Sequence, residues 1–341
     1  MTQYFTQWHS YFMDADRILE VLAAIVISMV IGMVTGPLGG NANPLFWSVF
    51  SGVFGGFGEK LDRAHRPKAD LMFRGFMLGC VMMMAAAALA KFYLYILTVY
   101  PSYEVVNIVF LTLLLTSGTI WFVLLKLYFA MDRDKVGEGA YYAIARTTRI
   151  NLASGDDYGI TRAAMSLSVK SFDKGMVAPA LWYIIGGFPA ACIYAALAMM
   201  SWRFGRNGLG SGFASVPLAL EKLMGIIPSL LAALYLTLAA TFTPTAKLHK
   251  GIAAWLGHKN RAPYEQGGAP LSAMAWALNV SLGGAVQDLS GKPLKGEWVG
   301  PEGATAQLNH KHLRRAIYIN VIAHILFIAS LLGMYMWSSI L

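Results

Sequence analysis

The sequence predicts an all-α protein: a polytopic membrane helical bundle with amphipathic interfacial helices and cytoplasmic loops. Three observations predict it. Hydrophobic residues make up 57% and charged residues 13% of the 341-residue chain, with a mean hydropathy of +0.53, whereas an ordinary soluble domain carries about 25% charged residues. The apolar residues fall into runs about one bilayer thick. Lys and Arg, which give a formal net charge of +9, sit in short clusters beside those runs, the pattern of cytoplasmic loops and not of a nucleic-acid-binding face.

Residues 18–34 form the first apolar run, with Glu20 near its start; no small-residue cleavage site follows, so it reads as a membrane helix and not a signal peptide. Residues 35–43 are a turn, and 44–58 are apolar and Gly-rich but short, a re-entrant or interfacial segment. Residues 59–74 carry a net charge of +2 and are expected in the cytoplasm. Residues 75–97 and 105–130 are two further spans joined by a short turn at 98–104, hence antiparallel neighbours. The polar stretch 131–174 is then cytoplasmic, with an amphipathic helix over 139–151 and a helix start at Asp156 and Asp157, whose carboxylates suit free N–H groups.

A span over 175–200 follows, with Pro179, Gly186, Gly187 and Pro189 predicting a kink. The loop 201–209 lacks the glycine-lysine spacing of a phosphate-binding loop. An amphipathic piece at 216–224 runs into a crossing at 226–242, and Lys247, Lys250, His258, Lys259 and Arg261 make the next loop basic. Residues 270–282 form a half-hydrophobic helix, 283–310 a Gly-rich mobile element, and 316–337 the last span. Charge bias places every basic loop on one face except 201–221. No composition shift divides the chain, so 1–341 is one domain. Cys80 and Cys192 lie inside apolar runs as small hydrophobes.

Chemistry-bearing motifs are sparse. No His-Glu-x-x-His or Gly-x-Ser-x-Gly occurs, and His310 and His312, separated by one residue, point away from each other on a helix, so no metal site is expected. The cations of the central loop, beside a bilayer, suit phosphate or carboxylate groups, and anionic lipid headgroups compete for the same charges.

The run Arg162-Ala-Ala-Met-Ser-Leu-Ser-Val-Lys-Ser-Phe-Asp-Lys-Gly-Met-Val-Ala-Pro-Ala-Leu-Trp resembles the central signature of the CobD/CbiB membrane family of cobalamin biosynthesis, the adenosylcobinamide-phosphate synthases. In the same order, Phe57–Leu61 with Glu59, Arg74-Gly75, Phe204-Gly-Arg-Asn, Ile227-Pro228 and Gly267-Gly-Ala-Pro-Leu-Ser-Ala-Met are similar to its other stretches, and the resemblance covers most of residues 30–285. AmpE-like proteins are more distantly similar. The resemblance implies a multi-pass protein of the bacterial inner membrane that forms an amide bond between a corrinoid acid and a phosphorylated amino alcohol, with ATP and Mg²⁺ if the family activity is retained. Candidate catalytic residues are Glu59, Asp173 and Glu221. Candidate substrate-binding residues are Arg146, Arg149, Arg162, Lys170, Lys174, Arg206, Asn207 and Gln266.

The sequence departs from the family where that chemistry belongs. An ungapped match sets Lys170-Ser-Phe-Asp-Lys-Gly against the family's Glu-Asn-Thr-Val-Asp-Gly, puts Met200 where an Asp is usual, and puts Gln266 and Leu271 at its C-terminal Asn and Glu. Ammonium in place of carboxylate reverses the local field. The second reading is therefore a catalytically degenerate relative that serves a membrane complex as an interaction or assembly subunit.

Overall fold

The computed structural model describes residues 15–63, 65–100, 105–153, 155–243, 246, 248–256 and 261–340. Expectations that fall on residues 1–14 and 101–104, and on Ser154, Lys247, His258 and Lys259, lie outside the described residues. The described chain is all-α apart from four two-residue strands. Its helices are α1 (Ala15–Thr35), α2 (Leu45–Leu61), α3 (Lys68–Val99), α4 (Val106–Leu114), α5 (Gly118–Asp132), α6 (Tyr142–Thr148), α7 (Asp157–Phe172), α8 (Ala178–Phe204), α9 (Ser215–Ala240), α10 (Leu248–Leu256), α11 (Gly268–Leu278) and α12 (His310–Ile340). A π-helical turn, Asp173–Val177, links α7 to α8.

Five stretches are long and apolar enough to cross a membrane: α1, α3, the stretch Asp157–Phe204, which is broken at Gly187, α9 and His310–Ser338 within α12. The chain is thus a polytopic membrane helical bundle. The span expected over 105–130 is two helices, α4 and α5, bent by 45°, and counting this pair gives up to six. Its break is held by neighbours: the Thr116 N–H donates to the Gly175 carbonyl at 2.9 Å and the Thr116 hydroxyl to that of Ala42 at 2.7 Å. Polar groups released inside a bilayer need such partners. Just beyond it, Gly118 meets α1 at Gly32 and Met29 backbone to backbone, where a side chain on either glycine would collide.

The segment 44–58 becomes α2, 17 residues long and shorter than the crossing helices. Both its ends meet the same end of the bundle. Before it, Asn43 donates to the Thr147 carbonyl at 3.1 Å; at its end Glu59 accepts from Arg203 at 2.7 Å; and Trp202, next to Arg203, donates to that same Thr147 carbonyl at 2.7 Å.

The largest departure from the sequence reading concerns Gly186 to Pro189. Gly159 and Arg206 line one cavity, yet a straight helix between them would separate them by about 70 Å. The chain reverses at Gly187, whose φ of 63° and ψ of −160° lie in a region open essentially to glycine alone. Pro189 follows with no N–H to lose. The expected kink is a hairpin, and residues 201–209 return to the end of the bundle that carries 131–174: Trp202 reaches Thr147 and Arg206 donates to the Arg149 carbonyl. The one basic loop that broke the charge pattern thereby lies at the same end of the bundle as 131–174.

At that end Asp156 caps α7, accepting from the Gly159 N–H at 2.7 Å. The amphipathic helix expected over 139–151 is only α6, closed by Arg149 in the left-handed conformation at φ 56°. Residues 283–310, expected to be mobile, form short antiparallel pairs, β1 (Leu282–Gly283) with β4 (Trp298–Val299) and β2 (Val286–Gln287) with β3 (Pro293–Leu294). They are pinned by the Asn151 N–H donating to the Gln287 carbonyl at 2.9 Å and by Arg162 donating to that of Ala306 at 2.7 Å.

Candidate functional site

A cavity of about 410 Å³ lies where α7, the loop after α8, the turn before α11 and the β-segment converge. Its wall carries the side chains of Arg162, Lys170, Arg206 and Lys295 against the carboxylates of Asp156 and Glu265. A second chamber of about 80 Å³ lies deeper, between α2, the α4–α5 bend, the π turn and the end of α8. Thr148, Leu167, Lys170, Arg206 and Glu265 line both chambers and so form the boundary between them.

Of the charged boundary groups, Arg206 is held from outside the cavity. Arg206 donates to the Arg149 carbonyl and stands 3.6 Å from Asp288. Burial and then the neighbouring Arg149 guanidinium pull Arg206 below the ordinary guanidinium range, while Asp288 opposes them; it remains a cation at neutral pH. Lys170 projects from the last turn of α7 and makes neither an ion pair nor a hydrogen bond among the described residues. Arg162 lies 5.3 Å from the centre of the Trp298 ring, a cation–π contact that ties α7 to the β-segment. Gln266 donates to the Lys295 carbonyl at 3.3 Å, and its buried Oε1 has no partner among the described residues.

Behind the inner chamber the Lys174 ammonium stands 2.9 Å from Glu221, whose side chain is fully buried. Tyr264 closes this group: its hydroxyl donates to Glu221 at 2.8 Å and its ring lies 4.0 Å from the Lys174 nitrogen. Burial, then the Glu221 charge, push the Tyr264 phenol far above its ordinary range, so it stays a donor. Asp173, in the π turn, accepts from Ser229 at 2.6 Å; its other oxygen is buried and has no partner among the described residues.

The candidate residues therefore separate. Arg162, Lys170, Arg206 and Gln266 line the outer chamber, and Lys170, Lys174 and Arg206 the inner one. Arg149 packs 5.6 Å over Trp202, behind Arg206. Glu59, exposed on α2, pairs with Arg203, and Arg146 and Asn207 are exposed to solvent; none of these lines either chamber. Glu221 and Asp173 are tied to Lys174 and Ser229 behind the wall. Sequence reasoning missed Glu265, Lys295, Ser171 and Ser201. Glu265 adjoins Gln266 in the C-terminal signature and was within reach of it; the two serines carry no signal in a sequence.

Among the described residues no three His, Cys, Asp or Glu side chains gather into a group able to hold a metal ion. The divalent cation implied by the family resemblance does not fit here. Glu221 is already neutralised by Lys174, and the wall at the two positions where the family resemblance implies Glu and Asp presents ammonium groups, which repel a cation and offer it no lone pair.

Fold and site together define a polytopic helical membrane protein with a cationic, two-chambered cavity at one end of its bundle. Residues 22–320 match the family model described as CobD/Cbib protein, and the chain belongs to that family. It is 33% identical over 149 residues to the cobalamin biosynthesis protein CobD of Geobacter metallireducens, covering 41% of this chain and 44% of that protein. It is 29% identical over 153 residues to that of Sinorhizobium fredii, covering 43% and 46%, and 27% identical over 233 residues to that of Rhizobium meliloti, covering 66% and 70%. The matches thus span less than half the length of the first two relatives. Neither the family match nor these relatives carry a link to AmpE-like proteins. No solved structure matches the chain.

Proposed function

We propose that the protein serves cobalamin metabolism, as the names of its relatives suggest, as a multi-pass protein of the bacterial inner membrane that binds an anionic ligand in its two-chambered cavity. The observation that carries this reading is the placement of Lys170 and Lys174. Both line the inner chamber, at positions where the family resemblance expects carboxylates, so the cavity selects phosphate or carboxylate and not a metal ion. An outer chamber of about 410 Å³ suits a phosphorylated amino alcohol, or one acidic arm of a corrinoid whose macrocycle stays outside. Anionic lipid headgroups compete for the rim.

ATP-dependent amide bond formation giving adenosylcobinamide phosphate is the activity the resemblance implies. The donor set argues for binding in place of that metal-dependent step, and a member without the step would act as an interaction or assembly subunit for a membrane protein partner. Complementation decides between them. In a strain that lacks its own adenosylcobinamide-phosphate synthase and must assemble its corrinoid, this gene, with membrane insertion confirmed, is expected to give no growth. Growth at ordinary expression would overturn the binding reading and restore the synthase.

A further inference from the structure

The β-segment has two halves of different character. Its base is anchored: β1 pairs with β4, Leu282 and Val299 are buried, and the Ser281 N–H donates to the Thr305 carbonyl at 2.9 Å. Its distal half, residues 285–295, pairs β2 with β3, and of these residues only Leu294 is buried. Ala285, Val286, Gln287, Leu294 and Lys295 of this half form one wall of the outer chamber. The tip is stiff within itself. One Asp288 oxygen accepts from the Ser290 N–H at 2.8 Å, the Ser290 hydroxyl at 2.7 Å and the Lys292 N–H at 2.9 Å, and the Asp288 N–H donates to the Lys292 carbonyl at 2.9 Å.

Between the two halves both strands pass through glycine. Gly284 has a φ of 86°, and a β-carbon on Gly296 would lie 2.0 Å from the Gly284 carbonyl oxygen, so the strands meet here backbone to backbone. A few such positions can absorb the whole φ/ψ change of a moving element. The distal half is tied to the bundle by polar contacts: the Asn151 N–H donates to the Gln287 carbonyl at 2.9 Å, the Gln266 amide to the Lys295 carbonyl at 3.3 Å, and Arg206 stands 3.6 Å from Asp288. An element with a buried base, an exposed outer half and little apolar burial between them opens at lower cost than the helices it rests on.

We propose that residues 285–295 are a lid on the outer chamber, hinged at Gly284 and Gly296 and latched at the tip by Asp288 on Arg206 and by Asn151 on Gln287. The base stays paired while the distal half lifts as a unit. Arg206 also lines both chambers, so opening the latch frees the guanidinium that stands at their boundary. The lid rests on the reading of this cavity as a binding site, but it concerns access and not the identity of the ligand.

The test uses the full-length protein in phosphatidylcholine nanodiscs, carrying Cys80→Ala and Cys192→Ala and one reporter cysteine, either Ser166→Cys on the outer chamber's wall or Arg146→Cys on the exposed surface. Each reporter reacts with N-ethylmaleimide and, separately, with a polyethylene-glycol maleimide too bulky for the closed chamber. With the lid latched, the ratio of bulky to small reagent rate is expected to be far lower at 166 than at 146. Asp288→Ala raises that ratio at 166 by about tenfold, as the open form becomes more populated, and leaves it unchanged at 146. A change in thiol reactivity alone moves both reagents together and leaves the ratio where it was. Replacing residues 288–292 by Asn-Gly, a two-residue turn that suits the Gln287–Pro293 pair, removes the Asp288 latch while keeping β2–β3, and gives the same rise even if Asp288→Ala fails to fold. A ratio at 166 equal to that at 146 in the latched protein, or one that neither variant raises, overturns the lid. No ligand enters this experiment, so its failure leaves the anion-binding reading in place, and a failure of ligand binding leaves the lid.

Discussion

Lys174 and Glu221 form an ion pair 2.9 Å long across the interior, between the π turn and α9, with the glutamate side chain fully buried and the lysine 11% exposed. Such a pair contributes little net stability when whole, because desolvation offsets most of the attraction, but leaving one member alone strands a buried charge. Lys174→Met is therefore expected to cost about 3–5 kcal/mol of stability, while Lys174→Met combined with Glu221→Leu recovers most of it. Chemical unfolding in detergent measures both. A double variant as unstable as the single one would contradict the pairing.

The reversal at Gly187 makes a second prediction. Any residue with a β-carbon is strained at φ 63°, ψ −160°, and the cost of such a conformation is of order 1–3 kcal/mol. Gly187→Ala is expected to lower the unfolding midpoint, while Gly56→Ala, on an open face of α2, leaves it unchanged or raises it. A neutral outcome at Gly187 would argue for a continuous helix.

The same reversal fixes sidedness. Single cysteines at the exposed Arg146 and Asn207, in a protein whose two native cysteines are replaced, are expected to react with an impermeant thiol reagent from the same side of the membrane, and from the cytoplasmic side if positive charge sets the orientation. A single unbroken pass through 175–200 puts them on opposite sides, and that labelling pattern would refute the hairpin.

Much of the fold was legible because apolar runs of bilayer length and flanking cations are determined by the solvent, not by tertiary detail. Residues 18–34, 75–97, 226–242 and 316–337 fall within α1, α3, α9 and α12, save Thr241 and Phe242. The hairpin was not legible: Gly186-Gly187-Phe188-Pro189 has the same composition whether the chain bends or doubles back, and both arms are equally apolar. The site was legible in part. Charge in a polar loop drew attention to Arg162, Lys170, Lys174 and Arg206, which meet at the chambers. Arg146 carries the same charge, but the short α6 turns it to solvent. Ser171 and Ser201 join the inner wall through packing alone, a property that appears only after folding.

The proposed function requires the cavity to recognise negative charge directly, without a divalent ion. Isothermal titration of a phosphorylated amino alcohol into the nanodisc-embedded protein, once with excess EDTA and once with Mg²⁺, tests it most directly. Saturable binding of equal affinity is expected in both, with no heat of saturable binding from Mg²⁺ alone. Binding that appears only with Mg²⁺, or a saturable Mg²⁺ isotherm on the free protein, would contradict it.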